Sequence, residues 1–317
     1  MSNSTKADDE NKKIRSLFDI QSVFCEIKTN DVIGFNNRKS AWRGQGGGVS
    51  STNSLMMMEN GDNEISIEVG SLGWFSEKKL TIEERRKYDP KATCKIDLVE
   101  FNGQNKKILS SMKVVVNKEG VPEVVQSNNH AIILRKIIAE QALPGHIDPD
   151  YFDAYYFPQG MELYKFSMKV HLTGIPKWSW VDAEPFDNST EQIQKLKSAY
   201  NEMATIINGH DRARLKSYYS SALHIWSTTT GEAEDEILLS LFPEEKIEGA
   251  GMNIMPINWN DFSIRVMNKG RMIQMYNKSK PTYSPLTYYF INSNGNKAMN
   301  YYAPIFSLIN GKFVPVI

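Results

Sequence analysis

Residues 189–209, STEQIQKLKSAYNEMATIING, mark a change in hydrophobic period along this chain of 317 residues. Apolar side chains recur there at steps of three and four residues, which predicts an amphipathic helix. Ser189 and Gln192 fit a capping box at its start, and Asn208-Gly209 is a typical end. The C-terminal part of the chain is therefore expected to carry helices that bury one face.

Two more helices and a set of strands are predicted after this stretch. Asp211 is a suitable cap for the second helix, and Thr230-Gly231 separates it from a third over 232–242. Beyond Pro243, apolar runs alternate with turns rich in Asn and Gly, which predicts an antiparallel meander. Residues 186–317 are thus expected to form a domain of three helices packed on this meander.

The N-terminal part shows strand patterns instead. Residues 64–69 alternate apolar and polar side chains, which predicts a strand with one face packed and the other in water. Residues 95–101, Asn102-Gly103 and an apolar run ending at Val116 predict a β-hairpin with a type I′ turn. Strands are also predicted over 20–27 and 162–173.

Two helices are predicted among these strands. Thr81 and Glu84 fit a capping box, which favours a short helix before Asp89-Pro90. Residues 129–142 are apolar on most of a helical circumference and stop at Pro144-Gly145, which predicts a central buried helix. The expected fold class is α+β with mostly antiparallel sheets. It consists of a disordered tail (1–15), a β-rich α+β domain (16–185) and the helical and sheet domain (186–317).

Composition excludes several classes of protein. Lysine plus arginine number 37, as do aspartate plus glutamate, so no net charge draws the chain to nucleic acid or to a membrane. The first thirteen residues lack the apolar core of a secretory signal, and no apolar run reaches the length that spans a bilayer. We therefore expect a cytoplasmic protein. Cys25 and Cys94 are too few and too far apart for a metal motif or a disulfide framework, which predicts reduced packing residues.

No established catalytic or cofactor motif is present. The glycine-rich stretch 44–48 lacks the Lys and Ser or Thr of a phosphate loop, and no Gly-x-Ser-x-Gly elbow occurs. The five histidines lack the spacing of a zinc pair. Residues 146–153 contain His146 and three aspartates, which suit either a hard cation or a solvated turn. We expect no catalytic residue, metal or cofactor, and the pattern favours a protein that is not an enzyme.

Aromatic and acidic side chains are the candidates for partner binding. Residues 229–248 carry seven acidic side chains and one basic, whereas 249–317 carry seven basic and one acidic. The rings suit either an interface or a core, and the charges suit a basic partner, mutual neutralisation of helix and sheet, or nucleic acid bound to a basic sheet. The predicted partner-binding residues are Tyr151, Tyr155, Tyr156, Trp178, Trp180, Glu232, Glu234, Asp235 and Glu236.

The order of elements over 188–317, with Ile207-Asn-Gly-His-Asp211 after the first helix, loosely resembles an NTF2-like α+β cone. That resemblance implies a pocket on the concave face of a bent sheet. Its candidate pocket residues are Tyr218, His224 and Asp261.

The abundance of Asn, Lys, Ser and Met and the low-complexity start are similar in style to cytosolic bacterial proteins of toxin and secretion loci, including immunity proteins. This resemblance implies a non-enzymatic protein that binds another protein, such as a cognate toxin or a secretion component. Two alternatives stay open. One is a small-ligand-binding protein or enzyme with the C-terminal pocket, and the other is a structural component of a phage or secretion particle.

Overall fold

A computed structural model describes residues 12–127, 131–146, 156–243 and 252–317. The chain divides into two compact units. The first comprises Met1–Gln141 and Tyr155–Lys177, and the second comprises Ala142–Ala154 and Trp178–Ile317. Both combine helices with antiparallel strands, so the predicted α+β class is confirmed.

The first unit contains two five-stranded antiparallel sheets. Sheet A has the strand order β4-β1-β6-β7-β8 and sheet B the order β3-β2-β5-β10-β9. The strands are β1 (Lys12–Gln21), β2 (Phe24–Thr29), β3 (Val32–Asn36), β4 (Gly48–Asn53), β5 (Gly61–Gly70), β6 (Thr93–Asn102), β7 (Asn105–Val116), β8 (Pro122–Ser127), β9 (Ile132–Ile138) and β10 (Glu162–Leu172). Short helices α1 (Arg38–Trp42) and α2 (Ile82–Arg85) and the 3₁₀ turns Leu55–Met57 and Leu72–Phe75 connect them.

A disulfide joins the two sheets. Cys25 in β2 is bonded to Cys94 in β6, and both residues are buried. The prediction of reduced cysteines is wrong, because the fold brings together two residues that are 69 positions apart in the chain. Alternate side chains on the same faces, among them Ile27 and Ile96, are fully buried, so the two sheets enclose an apolar core.

The helix predicted over 129–142 is wrong where the structure describes it. Residues Ile132–Ile138 form strand β9, which pairs with β10 in the register Ile138↔Glu162. An apolar run without clear periodicity fits a strand as well as a helix, and four isoleucines favour the strand. The segment is also exposed along most of its length, in contrast to the expected central helix.

Other local predictions fare differently. The single strand expected over 20–27 is wrong, because Ser22 adopts a left-handed φ of 54° and turns the chain between β1 and β2. The hairpin at Asn102-Gly103 is confirmed by the pairing Asn102↔Asn105. Its turn is not type I′, because φ is positive at Gly103 and not at Gln104. The capping box of Thr81 and Glu84 and the strand over 162–172 are confirmed.

Strand β5 is buried on both faces, so the expectation of a half-buried strand is wrong. Its inward face carries Ile65 and Ile67, and the opposite face carries Ser66 and Glu68, which is 3% exposed. Across the sheet Glu68 lies opposite Glu26 of β2. The alternating pattern predicted the strand correctly but did not reveal that its polar face is covered.

One lysine holds these two carboxylates together. Lys28 Nζ lies 3.0 Å from Glu26 Oε1 and 2.9 Å from Glu68 Oε1. Burial acts to lower the pKa of Lys28, but the two carboxylates outweigh it and raise that pKa. Burial raises the pKa of Glu68 above 4.5, although Lys28 opposes this shift. The folded protein therefore binds the Glu68 proton more tightly than the unfolded chain does, and this group's contribution to stability grows as the pH falls towards 4.5.

The described residues of the second unit form four helices, which are α3 (Thr190–Asn208), α4 (Arg212–Tyr218), α5 (Ser220–Thr230) and α6 (Glu234–Leu241). The Ser189 hydroxyl accepts from the Gln192 backbone N–H, as predicted, whereas the Gln192 side chain accepts from the Asp187 N–H. Asp211 caps α4 through the Arg214 N–H. The predicted second helix is broken at Tyr219 into α4 and α5, and Gly231 ends α5 in the left-handed conformation.

Six strands follow the helices in the second unit: β11 (Phe262–Met267), β12 (Met272–Asn277), β13 (Leu286–Ile291), β14 (Lys297–Tyr302), β15 (Phe306–Ile309) and β16 (Lys312–Pro315), with 3₁₀ turns at Trp259–Asp261 and Asn268–Gly270. The prediction of a single antiparallel meander is only partly correct. Strands β11-β12-β15-β16 form one sheet, while β13 and β14 leave it as a separate hairpin. Helix α3 contacts β16, and Tyr200 of α3 is fully buried with its hydroxyl accepting from the Met275 N–H at 2.8 Å.

We expect reduction of the disulfide to destabilise the first unit by about 4 kcal/mol, since the bond closes a long loop in the unfolded chain. Scanning calorimetry with and without dithiothreitol measures this as a fall in the melting temperature of that unit. A Cys25→Ala/Cys94→Ala variant is the control and should melt identically in both buffers. Two titratable thiols in the unfolded, unreduced protein would contradict the bond.

We expect Lys28→Met to lower the free energy of unfolding by about 3–5 kcal/mol at pH 7, because it leaves two buried carboxylates together. The loss should shrink between pH 7 and pH 5, where a carboxyl with a raised pKa takes up a proton. Urea unfolding at both pH values measures it. The control, Lys28→Met combined with Glu26→Gln and Glu68→Gln, should recover most of the loss at pH 7, and an equal loss at both pH values would count against the interpretation.

Candidate functional site

The second unit contains a cavity of about 310 Å³ with a histidine and an aspartate in its wall. It is open to solvent on one side and is lined by the segment 145–146, the segment 255–262 and the ends of the strands around Asn277 and Thr287. Its lining residues are Gly145, His146, Met255, Pro256, Ile257, Asn258, Asp261, Phe262, Asn277, Pro285, Thr287 and Met299.

The turn after β12 holds His146 at the edge of this cavity. The Asn277 side chain donates to the His146 carbonyl at 2.9 Å, and its Oδ1 accepts from the backbone N–H groups of Ser279 and Lys280. The Ser279 hydroxyl accepts from the His146 N–H at 2.7 Å and donates to the Leu143 carbonyl at 2.8 Å. Two buried side chains, Asn277 and Ser279, therefore fix a segment that lies more than 130 residues earlier in the chain.

Asp261 is fixed from the opposite wall. It closes the 3₁₀ turn Trp259–Asp261, which Asn258 caps by accepting from the Asn260 N–H. The Asn258 amide also donates to Asp261 Oδ1 at 3.1 Å, and the Asp261 carbonyl accepts from the Lys278 N–H at 2.9 Å. Both the backbone and the carboxylate of Asp261 are thereby oriented.

His146 Nδ1 lies 3.6 Å from Asp261 Oδ1, just beyond hydrogen-bonding distance. The two side chains are 34% and 28% exposed, so both reach the space of the cavity. Within the described part of the chain, no side chain or backbone group forms a hydrogen bond with His146 Nε2 or Asp261 Oδ2. These two atoms are therefore available to a bound molecule.

The three residues predicted for a pocket are not brought together. Asp261 lines the cavity, but Tyr218 and His224 do not. The Tyr218 hydroxyl donates to the Ala199 carbonyl at 2.9 Å, and burial raises the pKa of this phenol. His224 is exposed on α5. The sequence analysis had placed His146 in a cluster with three aspartates. Asn258 and Asn277, which orient Asp261 and His146, were not predicted, because the only sequence signal for them is their position in turns.

The aromatic residues predicted for partner binding lie in the interior where the structure describes them. Tyr156, Trp178 and Trp180 are 5%, 2% and 0% exposed, which is the core packing that the sequence left as an alternative. Arg38 lies over the Tyr156 ring and Arg271 over the Trp180 ring. Tyr151 and Tyr155 lie outside the described residues.

The acidic candidates are at the surface. Glu232, Asp235 and Glu236 are exposed, and Glu234 is half-buried in the first turn of α6. Asp235 forms an ion pair with Lys216 of α4 at 2.7 Å. The predicted acidic residues therefore lie at the start of α6 and directly before it, at the surface, whereas the described rings are buried.

The aspartates of the 146–153 cluster lie outside the described residues. Within the described ranges, no group of three His, Cys, Asp or Glu side chains is arranged to hold a metal ion. No described helix has both the length and the apolar character needed to cross a membrane.

No protein family, curated protein or solved structure matches this chain. The resemblances drawn from the sequence therefore stay predictions. Inferences about function rest on the structural features described above.

We expect Asn277→Ala to release the segment that carries His146, because it removes three hydrogen bonds and leaves buried backbone groups unpaired. The free energy of unfolding should fall by about 1–3 kcal/mol. Hydrogen exchange followed by mass spectrometry should show faster exchange at 143–146 and 279–280. Asn294→Ala, in an exposed turn of the same unit, is the control. Unchanged exchange at 143–146 would contradict the anchoring role.

Proposed function

We propose that the second unit binds a small polar molecule in the cavity beside His146 and Asp261. The observation that supports this proposal is a pair of hydrogen-bonding atoms, His146 Nε2 and Asp261 Oδ2, that have no partner among the described residues and lie at a space of about 310 Å³. Ligand sites are typically concave, with apolar walls and a few fixed polar groups. Polar and apolar groups contribute about equally to the wall of this cavity, and its size lies at the lower end of the usual range.

The lining favours a ligand that donates hydrogen bonds. The Asp261 carboxylate only accepts, and its Oδ1 already receives the Asn258 amide. Phe262, Pro285 and Met299 offer apolar surface to the carbon skeleton of a ligand. We therefore expect an amine or a polyhydroxy compound, whereas a carboxylate would meet repulsion from Asp261.

The proposal is confined to binding. A histidine near an aspartate can serve as a general base, but covalent catalysis also needs a nucleophile within reach. The hydroxyl group among the described lining residues is that of Thr287, which donates to the Ser284 carbonyl at 2.6 Å. The geometry therefore gives no support to covalent chemistry at this pair.

The test is a thermal-shift screen with small amines, polyols and carboxylates of matched size. We expect stabilisation by members of the first two groups, reaching about 2.7 kcal/mol at a hundred times the dissociation constant. Asp261→Asn should abolish the shift produced by any amine. Glu236→Gln makes the same charge change on exposed α6 and should leave it intact. No shift with any amine or polyol, or a full shift in Asp261→Asn, would refute the proposal.

A second candidate function is the binding of a partner protein, as an immunity or accessory protein would do. The exposed acidic residues Glu232, Asp235 and Glu236 favour it, because clustered charge of one sign steers and selects a partner of the opposite sign. Purification from the native host followed by mass spectrometry tests this candidate. A stoichiometric partner that is lost in Glu232→Lys/Glu236→Lys and retained in Lys195→Glu would support it.

The cellular compartment of the protein is also a matter for proposal. A cytoplasmic location was expected from the sequence, whereas the bond between Cys25 and Cys94 favours an oxidising compartment. Labelling of free thiols in protein taken directly from its host would distinguish the two.

A further inference from the structure

Strand β9 lies at the edge of sheet B and pairs on one side only. All seven of its residues, Ile132–Ile138, are in register with β10, and no described strand pairs with its other side. A sheet edge presents backbone N–H and C=O groups that can pair with a further strand. The edge is seven residues long, which is enough for a stable strand.

The side chains of this strand are exposed and apolar to an unusual degree. Ile133, Leu134 and Ile138 are 46%, 50% and 56% exposed. Residues alternate between the two faces of a sheet, so Ile133 lies on one face and Leu134 on the other. Apolar side chains are therefore exposed on both faces of an open edge.

Two cations stand between the apolar residues. Arg135 and Lys136 are exposed, and no described carboxylate forms an ion pair with either. Lys136 lies over the Tyr164 ring, 5.1 Å from its centre. The neighbouring cation, Lys165, lies opposite Arg135 but is already paired with Asp31 and Glu64. Among the described residues, the positive charge of this edge that no carboxylate pairs with therefore belongs to β9.

These charges disfavour pairing with a second copy. In an antiparallel pair of β9 strands centred on this segment, Arg135 would face either Arg135 or Lys136 of the other copy. Like charges directly opposite each other in a sheet are destabilising. Cations at an edge are a common protection against such association. The positive charges of Arg135 and Lys136 would instead attract a strand that carries acidic side chains.

We propose that β9 binds an extended segment of a partner protein, which adds a sixth strand to sheet B. The register defines its chemistry: two adjacent acidic residues opposite Arg135 and Lys136, with apolar residues on either side opposite Leu134, Ile133 and Ile138. Backbone pairing supplies affinity in this mode of recognition, and alternate side chains supply specificity. This surface shares no residue with the cavity of the second unit, and the proposal does not depend on the function proposed for that cavity.

The test uses the full chain and two fluorescent synthetic peptides, SVVEEVVS and SVVKKVVS. We expect the acidic peptide to bind at least tenfold more tightly than the basic one. An Arg135→Glu/Lys136→Glu variant should reverse this preference, because both side chains are exposed and the strand keeps its backbone. Hydrogen exchange should slow over 132–138 when the acidic peptide is bound.

A matched control separates the edge from general charge. Lys78→Glu/Lys79→Glu reverses two adjacent exposed cations in the connection between the 3₁₀ turn Leu72–Phe75 and α2, outside the strands, and it should leave peptide binding unchanged. Equal binding of the two peptides, equal losses in both variants, or unchanged exchange over 132–138 would overturn the proposal. So would light scattering that shows a dimer of the chain alone which Arg135→Glu/Lys136→Glu alters, since the occupant would then be a second copy.

Discussion

The first unit depends on the burial of both faces of β5. One face supplies Ile65 and Ile67 to the core between the sheets, and the other face buries Glu68. A buried carboxylate is tolerated only when a charge and hydrogen bonds compensate for its lost hydration. Lys28 provides that charge for Glu68 and Glu26 at once, so the register of β2 against β5 is fixed by charge on one face and by packing on the other. A shift by one residue would place isoleucines beside the lysine and carboxylates in the core.

The second unit depends on a different constraint, which is the attachment of an early segment to a late turn. The Ser279 hydroxyl accepts a hydrogen bond from the His146 N–H and donates one to the Leu143 carbonyl. The Asn277 amide donates to the His146 carbonyl and completes the attachment. Each of these side chains uses several of its hydrogen-bonding groups, so little freedom remains. His146 and Asp261 consequently face each other from fixed positions, and binding a ligand there would require little ordering of the wall. Such preorganisation reduces the entropic cost of association.

Features that depend on residues close together in the sequence could be predicted, and features that depend on residues far apart could not. The caps at Ser189 and Asp211 involve residues three positions away, so the sequence alone contains the necessary signal. Strand β9 could not be distinguished from a helix, because its partner β10 lies beyond a long connection and only that pairing selects the extended form. The same limit applies to Cys25 with Cys94 and to His146 with Asp261. In the candidate site only Asp261 was named as a pocket residue in advance, and it was grouped with Tyr218 and His224, which lie elsewhere.

The two edge strands of sheet B, β3 and β9, differ in how accessible they are to a further strand. On the opposite side, the edge strand β3 lies against β4 of sheet A, and the Thr52 hydroxyl donates to the Gly34 carbonyl at 3.2 Å. The approach is so close that a methyl group on Gly34 would lie 2.8 Å from the Thr52 methyl carbon. A further strand at β3 would have to displace this contact, whereas no described strand stands in its way at β9. The contact between β3 and β4 favours a single arrangement of the two sheets, whereas β9 leaves cations and isoleucines exposed. A further strand in sheet B is therefore expected at β9, where charge would select the partner.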